Sequence, residues 1–463
     1  MRPRDYLLRL AVVSLLATRN AVAQPPFNKG LTLRSCVAPA TRESARCGTI
    51  SVLEDRAKPR GRILRLEVLV LPATDSRARL EPIVFLHGGP GLPATHADDY
   101  VRSALGPERK QHDLVMVDMR GTGGPEALTC ELYDDGRKLA PYLGTMFPLD
   151  KVRQCAKRLE ARADLTQYTS ENAARDLDDV RAAIGASKWS LFGASYGTRL
   201  ALVYMRMFPD RVRRAALLGV LPPGAPTGRD FARGGQQALD SAFAACARDR
   251  TCRRESPDPS RDVTALLDRL RHSPANVTVQ NQNGESETVS LTARAVAEGL
   301  FIAAYYPPQL MRMLPLVHNA VMSDDLRELA RQLAELSRSK RTGRAVGLAL
   351  SVWCAEDIPR LSAVDTVSSR SLLGIPALPE IAAACNEWPH AIVAASYAAR
   401  VSSSIPTLLM SGGRDPATPS YLADSVAKGL THAERYNDPA AGHAALDAKA
   451  RDRMARFFGA PEN

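Results

Sequence analysis

The sequence has 463 residues, of which 45% are hydrophobic, and it carries a formal net charge of +11. This length exceeds one minimal domain, and the apolar content is enough to fill a sizeable core. The lysines and arginines are scattered, without aromatic interleaving or a basic helix, so no nucleic-acid partner is expected. Beyond the N-terminus no stretch approaches the roughly 18 apolar residues of a membrane span, and no membrane span is expected.

The N-terminus is organised like an export signal over residues 1–23. Arginines precede an apolar stretch at 10–17, and small residues lead to a cleavage site near Ala23 and Gln24. This order predicts a signal peptide and a secreted or periplasmic protein. Polar residues shorten the apolar core of the signal, so an unprocessed tail or a mistranslated upstream start is the alternative interpretation.

The eight cysteines fall as near neighbours along the chain. The pairs are Cys36 with Cys47, Cys130 with Cys155, Cys246 with Cys252, and Cys354 with Cys385. An even number in an exported chain favours disulfides, and proximity suggests this pairing among the 105 connectivities that eight cysteines allow. The alternative is a set of buried thiols in a cytosolic enzyme. No Cys-x-x-Cys motif or Cys/His cluster indicates a metal site.

Alternating strand and helix patterns predict an α/β fold, with a mostly parallel sheet and helices on both faces. After an N-terminal hairpin at about 36–72, strands are expected at 82–87, 112–118, 189–192, 212–220, 405–411 and 433–436, and helices at about 170–186 and 196–208. The regular pattern stops at Leu221-Pro-Pro-Gly224. We therefore expect a core over 35–221, an inserted, mainly helical cap over 222–400, and a second core part over 401–463.

A glycine-rich loop, His87-Gly-Gly-Pro-Gly91, follows the strand at 82–87. Residues without side chains let backbone N–H groups come close to a developing negative charge, as an oxyanion hole requires. We expect one donor from Gly89 and the other from Tyr196. A phosphate-binding loop is the alternative, but no Gly-Lys-Ser/Thr follows.

The segment Gly193-Ala-Ser-Tyr-Gly197 lies between a short apolar strand and an amphipathic helix. In a nucleophile elbow the serine sits on a sharp strand-to-helix turn, and the flanking glycines avoid collisions where the chain doubles back. Ser195 is therefore the candidate nucleophile.

A serine hydroxyl needs a general base and a third group that orients the base. Asp415 follows the strand at 405–411 and is the expected acid, while His443 follows the last strand and is the expected base. The order Ser, Asp, His is the order given for α/β-hydrolases. Asp415 and its rival Asp438 both precede proline and have an alternative interpretation as turn residues. Seven other histidines could each be a satisfied surface or core residue, and the position after the last strand favours His443. They are His87, His96, His112, His272, His318, His390 and His432.

These motifs together resemble the α/β-hydrolase peptidases related to prolyl aminopeptidase, and most closely the secreted tripeptidyl aminopeptidase-like branch. The likeness is carried by His87-Gly-Gly-Pro-Gly91, by Asp118-Met-Arg-Gly-Thr-Gly123, by the run from Tyr168 through the elbow to Pro209, and by Gly413-Arg-Asp-Pro-Ala-Thr-Pro419 with Gly442-His443. The chain departs from the family pattern at Pro125, where a serine is usual. The resemblance implies an α/β-hydrolase fold and a serine hydrolase that needs no cofactor.

Within this family, an aminopeptidase must hold a free α-ammonium group, and a carboxylate near the acyl site is the physical means. The segment Trp353-Cys-Ala-Glu-Asp-Ile-Pro359 resembles a cap segment of the tripeptidyl aminopeptidase-like branch, so Glu356 and Asp357 are expected to bind substrate. Their alternative role is to cap a short helix beside a disulfide. The expected partner is a peptide, and the alternative function is that of an esterase or lactonase acting on small esters.

Overall fold

The computed structural model describes residues 30–75, 80–133, 137–281, 283–361, 371–374 and 377–460. The expected signal peptide at 1–23 lies outside the described residues. In the described part of the chain, no helix combines the length and apolarity that crossing a membrane requires.

Nine strands of the described residues form one sheet. They are β1 (Arg34–Val37), β2 (Ser44–Leu53), β3 (Ile63–Leu71), β4 (Ile83–Leu86), β5 (Leu114–Val117), β6 (Trp189–Ala194), β7 (Val212–Leu218), β10 (Thr407–Gly412) and β11 (Ala433–Asp438). Their spatial order is β1-β2-β3-β5-β4-β6-β7-β10-β11. β1, β2 and β3 pair antiparallel, as does β3 with β5, and all the remaining neighbours pair parallel. The predicted mostly parallel sheet is confirmed.

Fifteen α-helices accompany these strands in the described part of the chain. Those outside the long insertion are α1 (Asp98–Ala104), α2 (Ala140–Leu143), α3 (Leu149–Glu160), α4 (Ser170–Ala183), α5 (Tyr196–Met207), α14 (Ser420–Ala427) and α15 (Ala448–Gly459). Those between β7 and β10 are α6 (Phe231–Arg248), α7 (Arg250–Glu255), α8 (Pro259–His272), α9 (Ala293–Ala304), α10 (Pro307–Ser323), α11 (Arg327–Arg341), α12 (Val346–Glu356) and α13 (Leu378–Asn386).

The sheet is covered on both faces, and its central strands β4 and β5 are apolar and buried at every position. Successive residues of a strand point to opposite faces. In β4, Val84 and Leu86 pack with α3, α4 and α5, whereas Ile83 and Phe85 pack with α1 and α15. Because β4 to β7, β10 and β11 run parallel, their carboxyl ends lie at one edge of the sheet, where loops can converge.

The insertion has a hydrophobic core of its own. This core is formed by the six helices from α6 to α11 and by a two-stranded antiparallel hairpin, β8 (Ala275–Gln280) and β9 (Ser286–Leu291). The hairpin was missed in a region expected to be mainly helical, although the alternation Val277, Val279, Val289, Leu291 indicates strands. Helices α12 and α13 pack instead in the cluster of the main sheet, and α2 packs in the core of the insertion.

The four expected disulfides are present. They are Cys36–Cys47, Cys130–Cys155, Cys246–Cys252 and Cys354–Cys385. The last of these joins α12 to α13, two elements that pack against the main sheet.

Candidate active site

Ser195 lies at the turn between β6 and α5. Its backbone has φ 57° and ψ −125°, and its N–H donates to the carbonyl of Leu218 at the end of β7 over 2.9 Å. A positive φ costs a non-glycine residue free energy and persists only where the surroundings hold it. The turn therefore has the strained geometry of a nucleophile elbow.

The two glycines of the elbow are required by close packing. A Cβ at Gly193 would lie 2.7 Å from the carbonyl oxygen of Gly197. A Cβ at Gly197 would lie 1.8 Å from the carbonyl oxygen of Leu86, at the end of β4. Helix α5 thus leaves the elbow directly against the neighbouring strand, and this contact fixes its direction.

His443 connects the candidate nucleophile to an acid. Its Nε2 lies 2.9 Å from Ser195 Oγ, and its Nδ1 lies 2.9 and 3.0 Å from the two carboxylate oxygens of Asp415. Asp438 contacts the N–H of Ala440 instead. The structure brings together the three residues proposed from the sequence, although they come from three separate segments.

Asp415 is held as a buried carboxylate. Its oxygens accept hydrogen bonds from the N–H groups of Ala417 and Thr418 and from the Thr418 hydroxyl. Burial raises the pKa of the Asp415 carboxyl, but His443 and Thr418 outweigh that effect and hold the pKa below its usual range. The acid is therefore ionised at neutral pH, as an orienting group for an imidazole must be.

The insertion contributes to the position of His443. The His443 N–H donates to the carbonyl of Tyr305 over 2.9 Å, and the Tyr305 ring lies edge-on to the imidazole with 4.7 Å between centroids. Tyr305 follows α9, so this contact joins the insertion to the loop after β11. Sequence reasoning missed both Tyr305 and Thr418. Thr418 had a weak signal, because an Asp side chain at the start of a turn bonds the backbone that follows it, which brings Thr418 close to Asp415.

The glycine-rich loop after β4 lies against Ser195. A Cβ at Gly88 would be 3.0 Å from the Cβ of Ser195. The Gly88 N–H donates to His87 Nδ1, and burial, with the charge of Arg344, lowers the pKa of His87 to about 4, so this imidazole is neutral. Among the described residues nothing accepts from the N–H of Gly89 or Tyr196. These two amides are free to bind an oxyanion.

A cavity of about 710 Å³ opens onto Ser195 and His443. A volume of this size is within the range of small-molecule sites. Its apolar wall includes Phe147, Phe231, Phe301, Ile302 and Trp353. Its charged wall includes Lys340, Arg341 and Arg344 from the end of α11 and the following loop, together with Glu298.

Glu356 and Asp357 do not line this cavity, so the expectation that they bind substrate is corrected. The Glu356 carboxylate accepts from the N–H and hydroxyl of Ser170 and from the Tyr397 hydroxyl. Asp357 pairs with Arg199 over 2.8 Å, and neither acid makes a side-chain cap. Both acids are fully buried, Glu356 in the last turn of α12 and Asp357 directly after it. Their role in the structure is to neutralise Arg199 and to satisfy buried donors.

Comparison with known proteins gives relatives over most of the chain. Residues 81–450 match the family model of the alpha/beta hydrolase fold. The serine protease Hip1 of Mycobacterium tuberculosis is 26% identical over 452 residues, covering 89% of this chain and 85% of that protein. The tripeptidyl aminopeptidase of Streptomyces coelicolor is 33% identical over 190 residues, covering 38% of this chain and 35% of that protein.

An alpha/beta hydrolase enzyme from a Medee basin deep-sea metagenome library aligns with a TM-score of 0.41 at 16% identity, covering 86% of this chain and 96% of that chain.

Proposed function

Because the chain belongs to the α/β-hydrolase family, we propose that it is a serine peptidase that cleaves peptide bonds by acyl transfer through Ser195. The observation that carries the proposal is the hydrogen-bonded series Ser195, His443, Asp415, with all three contacts at 2.9 to 3.0 Å. The peptidase names of the two relatives support peptides as the substrate class.

The reaction follows from this geometry in two steps. Ser195 Oγ bonds to the scissile carbonyl carbon while His443 Nε2 takes the hydroxyl proton, and the imidazolium then gives that proton to the leaving amine. Water attacks the acyl-enzyme, with His443 again as base, and its attack releases the acid and restores the serine. The amides of Gly89 and Tyr196 stabilise the oxyanion in both steps.

More specifically, we propose an aminopeptidase that releases residues or short peptides from a free N-terminus. Of the carboxylates lining the cavity, Glu298 is bonded to Arg294 and Arg341. Asp99 is exposed and has no cationic partner among the described residues. Asp99 is therefore the group proposed to hold the α-ammonium.

Export is the second specific part of the proposal. Four disulfides are typical of proteins in oxidising compartments, and residues 1–23 have the organisation of a signal peptide. Sequencing the N-terminus of protein recovered from the periplasm or medium tests cleavage between Ala23 and Gln24. A mature chain that still begins at Met1 contradicts this part.

Replacing the nucleophile tests the acyl-transfer proposal. We expect Ser195→Ala to lose roughly 10⁴-fold or more in kcat, because removing a triad serine leaves only oxyanion and binding contributions. A fluorophosphonate probe should label the native protein and leave the variant unlabelled. Retained hydrolysis or labelling in the variant would mean that another residue is the nucleophile.

A substrate panel separates an aminopeptidase from an esterase. It contains peptide anilides with a free amine, the same anilides N-acetylated, and p-nitrophenyl esters. An aminopeptidase prefers the free amine, and Asp99→Asn raises KM for that substrate alone. The enclosure of Glu356 and Asp357 away from the cavity favours the esterase as the second candidate. Equal rates on acetylated and free anilides, or activity on esters only, would reject the aminopeptidase.

A further inference from the structure

Two cations lie in the cavity beside the candidate active site without an anionic partner. Four lysine or arginine residues line the described cavity. Arg341 pairs with Glu298, and Arg451 donates to the carbonyl of Leu446. Lys340 and Arg344 have no hydrogen-bond acceptor or carboxylate partner among the described residues, and the Nε of Arg344 is enclosed with no partner at all.

Arg344 is fixed on the side of the glycine-rich loop. The N–H of Ala345 donates to the carbonyl of Gly91 over 2.8 Å, and a Cβ at Gly91 would lie 3.0 Å from Cγ of Arg344. The same loop carries the Gly89 amide. The guanidinium is 5.8 Å from the centre of the Trp353 ring, on the cavity wall.

Lys340 is fixed on the side of His443. Its Nζ lies 3.7 Å from the centre of the Tyr305 ring, and the same ring contacts the His443 imidazole. Burial lowers the pKa of Lys340 to about 7, with Arg344 adding to this effect and Asp415 opposing it, and burial also lowers the pKa of Arg344. The charge of Asp415 offsets only part of the effect of burial on Lys340, and neither cation is in direct contact with a carboxylate among the described residues.

We infer that the cavity binds a substrate carboxylate between Lys340 and Arg344, so that the preferred substrate is an anionic acyl compound or peptide. This inference rests on the proposed function for its reaction, but its binding part stands independently. An unpaired desolvated cation is costly, and a carboxylate that accepts from both groups removes the cost in the bound state. The carboxylate can come from an acidic side chain on the acyl side or from the C-terminus of the leaving peptide.

Matched substrates test the preference and distinguish these sources. The first pair is mono-p-nitrophenyl glutarate against p-nitrophenyl pentanoate. The second is Ala-Ala-Glu-p-nitroanilide against Ala-Ala-Gln-p-nitroanilide, and the third is tetra-alanine against its C-terminal amide. We expect at least one charged member to exceed its neutral partner by about 10- to 100-fold in kcat/KM, the range for a charge-assisted hydrogen bond.

Variants assign the preference to the two cations. Lys340→Met and Arg344→Gln should each reduce the charged-to-neutral ratio roughly tenfold through KM, and Arg344→Glu should reverse it. Arg338→Gln is the control, since Arg338 lies on the same helix but pairs with Glu335 outside the cavity. Thermal melting establishes that each variant is folded. A native enzyme that favours the neutral members, or variants that keep the native ratio, would overturn the inference.

Direct binding separates this inference from the proposed function. In Ser195→Ala, the fluorescence of Trp353 on the cavity wall reports titration with glutarate against glutaramide. Tighter binding of glutarate that Arg344→Gln abolishes supports the carboxylate site even if no peptide is hydrolysed. Equal affinity for the two compounds contradicts the site even if the peptidase reaction is confirmed.

Discussion

At the scale of single residues, the candidate site depends on hydrogen bonds that hold charge in place. Asp415 accepts from two N–H groups and one hydroxyl in addition to its contact with His443. Such a carboxylate is oriented before substrate arrives, so the imidazole is held in one tautomer. The Thr418 hydroxyl is the part of this arrangement that a single substitution removes.

Thr418→Val is expected to lower kcat by roughly 10- to 100-fold, because a hydrogen bond to a charged group contributes about 1.5–3 kcal/mol. The loss should be in kcat with little change in KM, since Thr418 orients the acid and lies outside the cavity lining. Steady-state kinetics on the best substrate measures this. Thr418→Ser keeps the hydroxyl and should retain most activity; a fully active valine variant would contradict the assignment.

Glu108 makes a prediction about stability against pH. Both carboxylate oxygens are buried without a hydrogen-bond partner, and burial raises the pKa of Glu108 from 4.5 to about 7. Below pH 4.5 this carboxyl is protonated in both the folded and the unfolded state, so it does not lower the free energy of unfolding. Between pH 4.5 and about 7 only the unfolded state ionises, so the free energy of unfolding falls as the pH rises. Glu108→Gln should therefore gain on the order of 2–3 kcal/mol relative to the native protein between pH 4.5 and 8.

Urea unfolding of both proteins at pH 4.5, 6 and 8 measures this gain. A difference in stability that stays constant across the three pH values would show that Glu108 titrates normally.

At the scale of elements, the strand-to-helix turn after β6 was predictable and the surroundings of α12 were not. The elbow is specified locally, by the spacing of two glycines around a serine and by the apolar strand before it. Glu356 ends α12, whose Val346, Ala349 and Trp353 line the cavity, and nothing in its sequence indicates that Glu356 itself lies away from the cavity. Glu356 is buried because α12 packs against α3 and α13, two helices that come from other parts of the chain.

Gly197→Ala should destabilise the protein by about 3 kcal/mol or more, because the new Cβ would collide with the backbone of β4, which cannot move without disturbing the sheet. Gly459→Ala is the matched control. Its Cβ meets nothing within 4 Å near the end of α15, and it should be neutral or stabilising by up to about 1 kcal/mol. Thermal melting compares the two; equal melting temperatures would contradict the packing argument.

The stabilisation that each disulfide provides is expected to increase with the length of the loop that it closes. Replacing Cys354 and Cys385 by alanine opens a separation of 31 residues and should cost about 3–4 kcal/mol, whereas opening the 6-residue separation of Cys246 and Cys252 should cost about 2 kcal/mol. Denaturant unfolding of the two double variants measures the difference. A larger loss from the shorter loop would mean that local packing outweighs chain entropy.

At the scale of the whole molecule, the sequence predicts the sheet better than the insertion. Strands β4, β5 and β10 are short, largely apolar runs followed by loops that contain glycine, and that signal is local. The hairpin β8–β9, the position of Tyr305 behind His443 and the cations at the end of α11 depend on how the insertion folds onto the core. The contact between Ser195, Asp415 and His443 could be predicted because a serine nucleophile needs a base and an acid, which limits the choices, whereas the cavity wall has no comparable constraint.

The hydrogen bond from the His443 N–H to the Tyr305 carbonyl ties the insertion to the loop after β11. The same segment that lines the cavity therefore positions the candidate general base, so displacing the segment would open the cavity and misalign the imidazole together. Replacing the insertion by that of another α/β-hydrolase would remove the Tyr305 carbonyl and leave the His443 N–H without this acceptor. The insertion therefore influences both the access of substrate to the cavity and the position of the imidazole.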